Sequence, residues 1–288
     1  MFQPTVSVVV PVFNRARVLP KCIDSLLRSD YPKARWELVC VDNGSTDGSM
    51  AVLRSYGERV RVLEEKRRGA AAARNTGVHA ATGEVIAFTD SDCVVDPRWI
   101  TEVVQPLADR TIAAVGGRIL AHQPANSVSR FGEIIHDHSI AINYDKPPYF
   151  ITMNLALRRD LLLRSGLFDV RLLRGQDSEL AYRIGRDMPD KRFHYAHAAV
   201  IRHRNRSSLP SLMREGFVHG YHAVAVRRLH GDFIRSAQTH EDRSQWNIAR
   251  TAAPHIAAWQ RHVYSFAFRQ SKNIGAWMAR WRAAEATP

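Results

Sequence analysis

Val85-Ile86-Ala87-Phe88-Thr89-Asp90-Ser91-Asp92 is a short apolar run that ends abruptly in two carboxylates separated by one small residue. An apolar run of this length between polar residues reads as a fully buried strand. Open α/β sheets bind ligands in the crevice beyond the carboxyl ends of their strands, so Asp90 and Asp92 are expected there. In an extended segment residues i and i+2 point to the same side, and two hard oxygen ligands then converge on one divalent cation. Asp-x-Asp by itself is a weak signal, because acidic pairs also cap helices and sit in solvated turns. Its surroundings strengthen it.

Upstream, Val6-Ser7-Val8-Val9-Val10 is β-branched and closed by Pro11, as a buried parallel strand would be. Leu19, Cys22, Ile23, Leu26 and Leu27 recur at helical spacing, and Leu38-Val39-Cys40-Val41 is a second strand. Asp42-Asn43-Gly44-Ser45-Thr46-Asp47-Gly48 is dense in turn and helix-capping residues, and predicts a helix over about 47–56. A weak strand at Val60–Leu63 and an Ala-rich helix after Gly69 lead into the acidic strand. Strands alternating with helices predict a doubly wound parallel sheet over residues 1–120.

The second half is less regular. Ile112–Gly117 reads as a strand, and the polar, His-rich segment 121–150 with Pro147-Pro148 reads as a mobile loop over a site. Met153–Leu157 returns to the sheet and a helix runs on to Arg164. Gly166–Asp169 is a turn, Gly175-Gln176-Asp177 precedes an amphipathic helix over Ser178–Ile184, and Ala199–Ile201 is a late strand. From residue 208 onward the pattern is helical. The organisation expected is a domain over 1–230, with a nucleotide-binding half 1–120 and an acceptor half 121–230, followed by a helical extension over 231–288.

The chain has 288 residues, 45% apolar and 24% charged, which is ordinary for a globular protein, and a net charge of +13, which is not. Such a field favours anionic partners. The basic residues are scattered and no zinc-finger or RNP-like motif occurs, which disfavours nucleic acid as the main partner. Cys22, Cys40 and Cys93 form no Cys-x-x-Cys pair, so a reducing cytoplasm is the expected compartment. The first strand follows Met1 too closely for a signal peptide, and no stretch is apolar enough to span a bilayer.

In order and spacing these pieces resemble a family-2 glycosyltransferase, an inverting nucleotide-sugar enzyme of the GT-A fold. The resemblance rests on Ser7–Asn14, Val41–Gly48, Arg68-Gly69 through Asn75, Thr89–Asp92, Asn154–Arg159, Gly166–Asp169 and Gly175–Arg183, and covers residues 5–230. It implies an α/β GT-A fold: a Rossmann-like, mostly parallel sheet flanked by helices, here with a helical C-terminal extension. It implies sugar transfer from a nucleoside diphosphate, UDP being expected because an Asp42 carboxylate suits the imide N–H of uracil. The nucleotide would meet the backbone around Pro11, Val12, Phe13 and Asn14, then Asp42, Arg74, Asn75, Asp90 and Ser91. Capping of the following helix is the alternative role for Asp42, with Ser45 and Asp47 as other cap residues.

By the same resemblance Asp92 is the direct metal ligand, with Asp90 beside it and His203 a third ligand after the late strand. Mg²⁺ or Mn²⁺ suits oxygen donors, and an imidazole tilts the choice to Mn²⁺. Asp177 is the expected base, taking the proton of the acceptor hydroxyl as its oxygen attacks the anomeric carbon. Asn154, Leu167, Phe168, Asp169 and Gln176 are expected at the acceptor. Two departures stand out: Gln176 replaces the family's usual glutamate, and Leu167 stands where a second glycine is common.

The acceptor is a sugar, a lipid-linked sugar or a small molecule. In the tail, Trp259, Val263, Phe266, Ile274, Trp277 and Trp281 recur every three or four residues among arginines, predicting an amphipathic helix over 255–282. Packing on the domain or on a second copy is the plainer reading of that helix, and peripheral contact with the inner face of a membrane the sharper one. A sugar nucleotidylyltransferase would need a Gly-rich, basic loop where Pro11-Val12-Phe13-Asn14-Arg15 stands. A non-catalytic basic binding protein would have no use for Asp42, Asp92 and Asp177 together.

Overall fold

The computed structural model describes residues 2–237 and 256–285. Its centre is one eight-stranded sheet. Four strands run parallel: β1 (Val6–Val12), β2 (Trp36–Asp42), β3 (Arg61–Glu64) and β4 (Val85–Thr89), in spatial order β3-β2-β1-β4. The remaining strands are β5 (Cys93–Val95), β6 (Ile112–Ala121), β7 (Asn154–Arg158) and β8 (Arg192–His203). They continue the sheet as β7-β6-β8-β5, where β6 and β8 are parallel and the other junctions antiparallel. This is an α/β sheet, mostly parallel as expected.

Continuous Val-rich runs are needed because both faces of the parallel part are covered. Val8 and Val10 point into one core, with α1 (Leu19–Leu27) and the fully buried Trp99 of α4 (Trp99–Val104). Val9 points into the other, against α3 (Ala70–Ala80) and α8 (Gln176–Asp187), as side-chain alternation requires. Leu19, Ile23 and Leu26 of α1 are wholly buried, each contributing roughly 1.5–3 kcal/mol relative to exposure. Gly77 lets α3 approach so closely that any Cβ there would overlap Val9. The short α2 (Ser49–Arg54) packs on β2 and α1, and α7 (Arg159–Arg164) on β7.

Two expectations are corrected, and one strand is added. Segment 121–150 is not a loop but carries α5 (Ser127–Ile135) and α6 (His138–Asn143). Asn126 and Asp137 cap these helices through side-chain oxygens, and buried Val128, Phe131, Ile140 and Ile142 anchor them. His138 is inside because Nδ1 meets the Gly117 carbonyl at 3.2 Å and Nε2 accepts the Ile151 N–H at 2.9 Å. Burial holds that imidazole down to about 3, partly offset by the Gly117 carbonyl. The late strand begins at Arg192 rather than Ala199, because pairing with β6 extends it through a polar stretch. The three-residue β5 gives no periodicity and was not anticipated; antiparallel pairing with β8 creates it.

The tail consists of α9 (Leu209–Ala237) and α10 (Ala258–Glu285), which pack on each other through small residues. A Cβ on Gly220 would overlap the Lys272 carbonyl, and one on Gly275 the Phe217 carbonyl. The start of the tail helix expected over 255–282 therefore falls at Ala258, and residue 255 lies outside the described residues. α9 runs across residue 230 with a kink at His230 (φ −127°, ψ 20°). Among the described residues no helix is long and apolar enough to cross a membrane.

Candidate active site

The carboxyl ends of β2, β1 and β4 lie side by side, and the first group of site residues stands on them. Val12 pairs with Asp42 in register, and the Asn43 N–H donates to the Val12 carbonyl at 2.8 Å. Asn14 adopts φ 52°; its N–H donates to Ser45 Oγ at 3.0 Å and its Oδ1 accepts the Thr46 N–H at 2.8 Å. Asp42 is buried. Its Oδ2 accepts the N–H groups of Gly44 (3.1 Å) and Ser45 (3.0 Å), while its Oδ1 is buried with no partner among the described residues. The start of α2 is held by Asp47 instead, whose Oδ1 accepts the Ser49 N–H at 3.1 Å. Asp42 is thus not the cap of that helix, and it presents one unsatisfied acceptor. Phe13 is exposed, with the Arg68 guanidinium 5.4 Å from its ring centre.

Asp90, Ser91 and Asp92 occupy the turn between β4 and β5, closed by the Cys93 N–H on the Asp90 carbonyl at 3.0 Å. Because the chain turns here rather than extending, the two carboxylates take separate partners. Asp90 Oδ1 accepts Arg74 Nη2 at 2.8 Å; Asp92 Oδ2 lies 3.3 Å from Arg15 Nε and its Oδ1 lies 3.6 Å from His203 Nε2. Ser91 is buried in the turn. The antiparallel register pairs Cys93 with His203, and this brings the end of β8 beside Asp92.

Among the described residues no three His, Cys, Asp or Glu side chains gather to hold a metal ion. Asp92 and His203 still fit as a pair. Two cis ligands about 2.1 Å from an octahedral cation stand about 3 Å apart, and the 3.6 Å between this pair would have to close by about 0.6 Å. His203 Nδ1 meets Asn205 Oδ1 at 2.7 Å, which fixes the ring with Nε2 toward Asp92. Asp90 fits less well as a ligand, because Arg74 already holds its Oδ1.

Asp177 stands in the first turn of α8, which Gly175 enters at φ 81°. Its Oδ1 accepts the Ser178 N–H at 3.0 Å. Burial raises its carboxyl above the ordinary 3.8, while Arg74 and the N–H groups of Ser178 and Thr152 pull it back. Arg74 is itself buried, with an unpartnered Nε, so one guanidinium serves both Asp90 and Asp177. Glu179 ties α8 to α9 through His230 Nε2 (3.3 Å) and pairs within α8 with Arg183 Nη2 (2.6 Å).

Several expected contact residues already have partners within the protein. Asn75 Nδ2 donates to the Phe168 carbonyl at 2.9 Å and Asn75 Oδ1 accepts the Phe168 N–H at 3.1 Å, so its amide clamps the 166–169 turn. Phe168 is buried edge-on to Phe88, with ring centres 5.4 Å apart. Leu167 is buried in the same core at φ 61°, a left-handed conformation that explains why glycine would be favoured there. Asp169 forms an ion pair with Arg171 at 2.7 Å, which lowers its carboxyl.

Gln176 is buried, and its Nε2 donates to the carbonyls of Leu172 (3.2 Å) and Leu173 (3.1 Å). A glutamate carboxylate could not donate to those two carbonyls, and this gives the departure at Gln176 a physical reason. Asn154 is wholly buried: Oδ1 accepts Trp99 Nε1 at 2.8 Å, and Nδ2 donates to the carbonyls of Arg118 (2.9 Å) and Ala199 (3.0 Å). It stitches β6 to a bulge in β8. Arg15, missed in the sequence, left no signal beyond its charge, since its partner Asp92 is 77 residues away.

A hollow of about 380 Å³ beside Trp36 and Arg59 lies at the opposite end of β2 from Asp42 and shares no residue with this site.

The family model "Glycosyl transferase family 2" matches residues 7–166. Glycosyltransferase AglE of Haloferax volcanii is 32% identical over 183 residues, 60% of this chain and 59% of that protein, so the chain spans about three fifths of that relative's length. The mannosyltransferase PcManGT of Pyrobaculum calidifontis, solved in complex with GDP-Man and Mn²⁺, superposes with a TM-score of 0.63 at 24% identity over 100% of this chain and 77% of its own. TarS of S. aureus gives a TM-score of 0.55 at 17% identity, over 94% of this chain and 54% of its own.

Proposed function

The chain belongs to glycosyl transferase family 2, and on that premise we propose that it moves one sugar from a uridine-diphosphate donor to an acceptor hydroxyl or amine, with inversion at the anomeric carbon. The observation that carries this reading is the position of Arg74, bonded to Asp90 on the donor turn and facing Asp177. It sets a carboxylate base beside the place where a nucleotide diphosphate would lie. The unsatisfied Oδ1 of Asp42 supports uracil, whose single imide N–H needs one acceptor, over guanine, whose N1–H and amino group need two.

In the proposed step the acceptor O–H gives its proton to Asp177. The oxygen forms a bond to the anomeric carbon from the face opposite the nucleotide. The bond from that carbon to the diphosphate oxygen breaks, and its electron pair stays with the diphosphate. Arg74 and Arg15 orient the phosphates, and Asp42 fixes the base. Asp92 and His203 would hold a divalent cation, for which Mn²⁺ suits the imidazole. When bound, such a cation offsets the charge that builds on the departing diphosphate.

The three free, buried cysteines support a reducing cytoplasm as the place of work. The exposed Trp259, Phe266, Trp277 and Trp281 on α10 support peripheral contact with a membrane surface.

The test is calorimetric titration of UDP and GDP, each with Mn²⁺ and with chelator. UDP binding that depends on Mn²⁺ is expected. Preference for GDP would overturn the base assignment, and no binding of either by folded protein would overturn the reading of the site.

A further inference from the structure

A second cluster of positive charge adjoins Asp177 and His203 in sequence, and its Arg206 follows β8, near the other end of the strand order from the β2 that carries Asp42. Arg174, Arg206, Ser211, Arg214, Glu215 and Val218 line a hollow of about 360 Å³. The arginines come from three separate segments. Arg174 precedes Gly175 at the entry to α8, Arg206 follows the end of β8, and Arg214 stands in the second turn of α9. All three are exposed, and none has an ion-pair partner among the described residues. Arg171 on the same loop, by contrast, clamps Asp169.

Ser211 lies in the first turn of the 29-residue α9, whose amino end adds partial positive charge to the same hollow. The one acidic wall residue does not cancel this. Glu215 directs its carboxyl to His136 (3.8 Å) and His219 (4.0 Å), and burial pushes it toward its neutral form against the pull of Arg206, His203 and Arg174.

The hollow therefore sits three residues in sequence from the candidate base on one wall and three from His203 on the other. A donor diphosphate already has Arg74 and Arg15 on its own side of the site. Three unpaired guanidinium groups in a concave surface match the oxygens of a phosphate. Leu173, 62% exposed, and Met213, 40% exposed, each adjoin one of these arginines in sequence and add apolar contact nearby.

We propose that this hollow is an anion subsite for the acceptor, holding a phosphate-type group carried by the molecule that receives the sugar. The group is borne either on a lipid headgroup or on a water-soluble acceptor. The inference rests on the sugar-transfer reading, since it is that reading which makes this the acceptor side.

The test compares wild type with Arg174→Gln/Arg214→Gln. Each is titrated with inorganic phosphate in the presence of saturating UDP and Mn²⁺, with UDP itself, and by co-sedimentation with phosphatidylcholine vesicles with and without phosphatidic acid. The expected result is loss of phosphate affinity by about tenfold or more in the double variant, with UDP affinity within about twofold of wild type. Capture by phosphatidic acid vesicles, lost in the variant, identifies the lipid source. Phosphate binding without vesicle capture identifies a soluble one. Unchanged phosphate and vesicle binding in the variant overturns the proposal, and so does a parallel fall in UDP affinity, which would assign the hollow to the donor diphosphate. If the double variant does not fold, Arg214→Lys replaces it, keeping the charge but losing the forked donor, and wild-type phosphate affinity there overturns the proposal. If UDP fails to bind wild type, the sugar-transfer reading falls by itself, and the phosphate and vesicle arms are run without nucleotide.

Discussion

Asp42→Asn should exchange the base preference of the nucleotide site. The two turn N–H groups of Gly44 and Ser45 lie 3.1 and 3.0 Å from Asp42 Oδ2 and demand an acceptor there. Turning the amide the other way would set an NH₂ against two donors and leave buried groups unsatisfied, at a cost of about 1–3 kcal/mol. The asparagine oxygen therefore replaces Oδ2, and its NH₂ takes the place of the partnerless Oδ1. Uracil, which offers N3–H, then meets a donor instead of a carboxylate. Losing one hydrogen bond to a charged group costs roughly 1.5–3 kcal/mol, or about ten- to hundredfold in affinity. Cytosine offers a bare N3 acceptor at the same position and should gain relative to uracil. Calorimetric titration of UDP and CDP into both proteins, with Mn²⁺ present, reads the result directly. A UDP affinity within about threefold of wild type, with no change in the UDP to CDP ratio, would refute the placement of the base on Oδ1.

Other expectations follow from the same geometry. Asp177→Asn should abolish transfer while leaving UDP affinity within about twofold, and near wild-type turnover would remove Asp177 as the base. Because burial raises the wild-type Asp177 carboxyl, the acidic limb of the kcat profile should fall at a pH above 3.8; a limb at or below that value would contradict it. At Leu167, φ 61° reverses the usual order of substitutions. Leu167→Ala and Leu167→Gly both lose buried contacts worth about 2–5 kcal/mol, but Gly relieves roughly 1 kcal/mol of left-handed strain, so urea denaturation should find Gly the more stable of the two. His138 binds no proton when folded until about pH 3, whereas the unfolded chain does so near 6.5. Its contribution to stability is thus intact above 6.5 and lost as pH falls across that window, at about 1.4 kcal/mol per pH unit. His138→Gln should show a shallower fall in urea titrations at stepped pH, and equal slopes would refute the assignment.

The parallel half was legible because it is written in local chemistry. Val-rich runs, one continuing through Pro11 to Val12 and one ending at the acidic turn, identify strands wherever the sheet is covered on both faces. Segment 121–150 misled because its polar residues are caps and a buried neutral histidine, which composition does not separate from loop residues. β5 and the first half of β8 exist through pairing across about a hundred residues, and no window of sequence contains both partners. The chemistry-bearing positions stood out, while their assignments did not. Asn75 and Phe168 lie 93 residues apart, so sequence could offer Asn75 as a ligand contact but could not reveal the backbone it clamps. Gln176 marked a departure from the family, and its reason lies in two carbonyls that only the folded loop presents to it.

The stitched bulge in β8 bears on which changes this chain can tolerate over evolutionary time. While β6 advances from Gly117 to Arg118, β8 advances from Ala196 to Val200, and Asn154 fastens the extra loop of backbone through the Arg118 and Ala199 carbonyls. Three further residues along, His203 meets Cys93 and thereby stands beside Asp92. Inserting or deleting one residue between the stitch and His203 would turn the imidazole to the opposite face of the sheet, whatever the new residue was. A substitution there keeps that count, though at the wholly buried Ile201 it also has to suit the core. Relatives that keep this arrangement should therefore vary at the outward positions of β8, keep small or apolar residues at the core positions of Ala199 and Ile201, and hold the count from stitch to histidine constant.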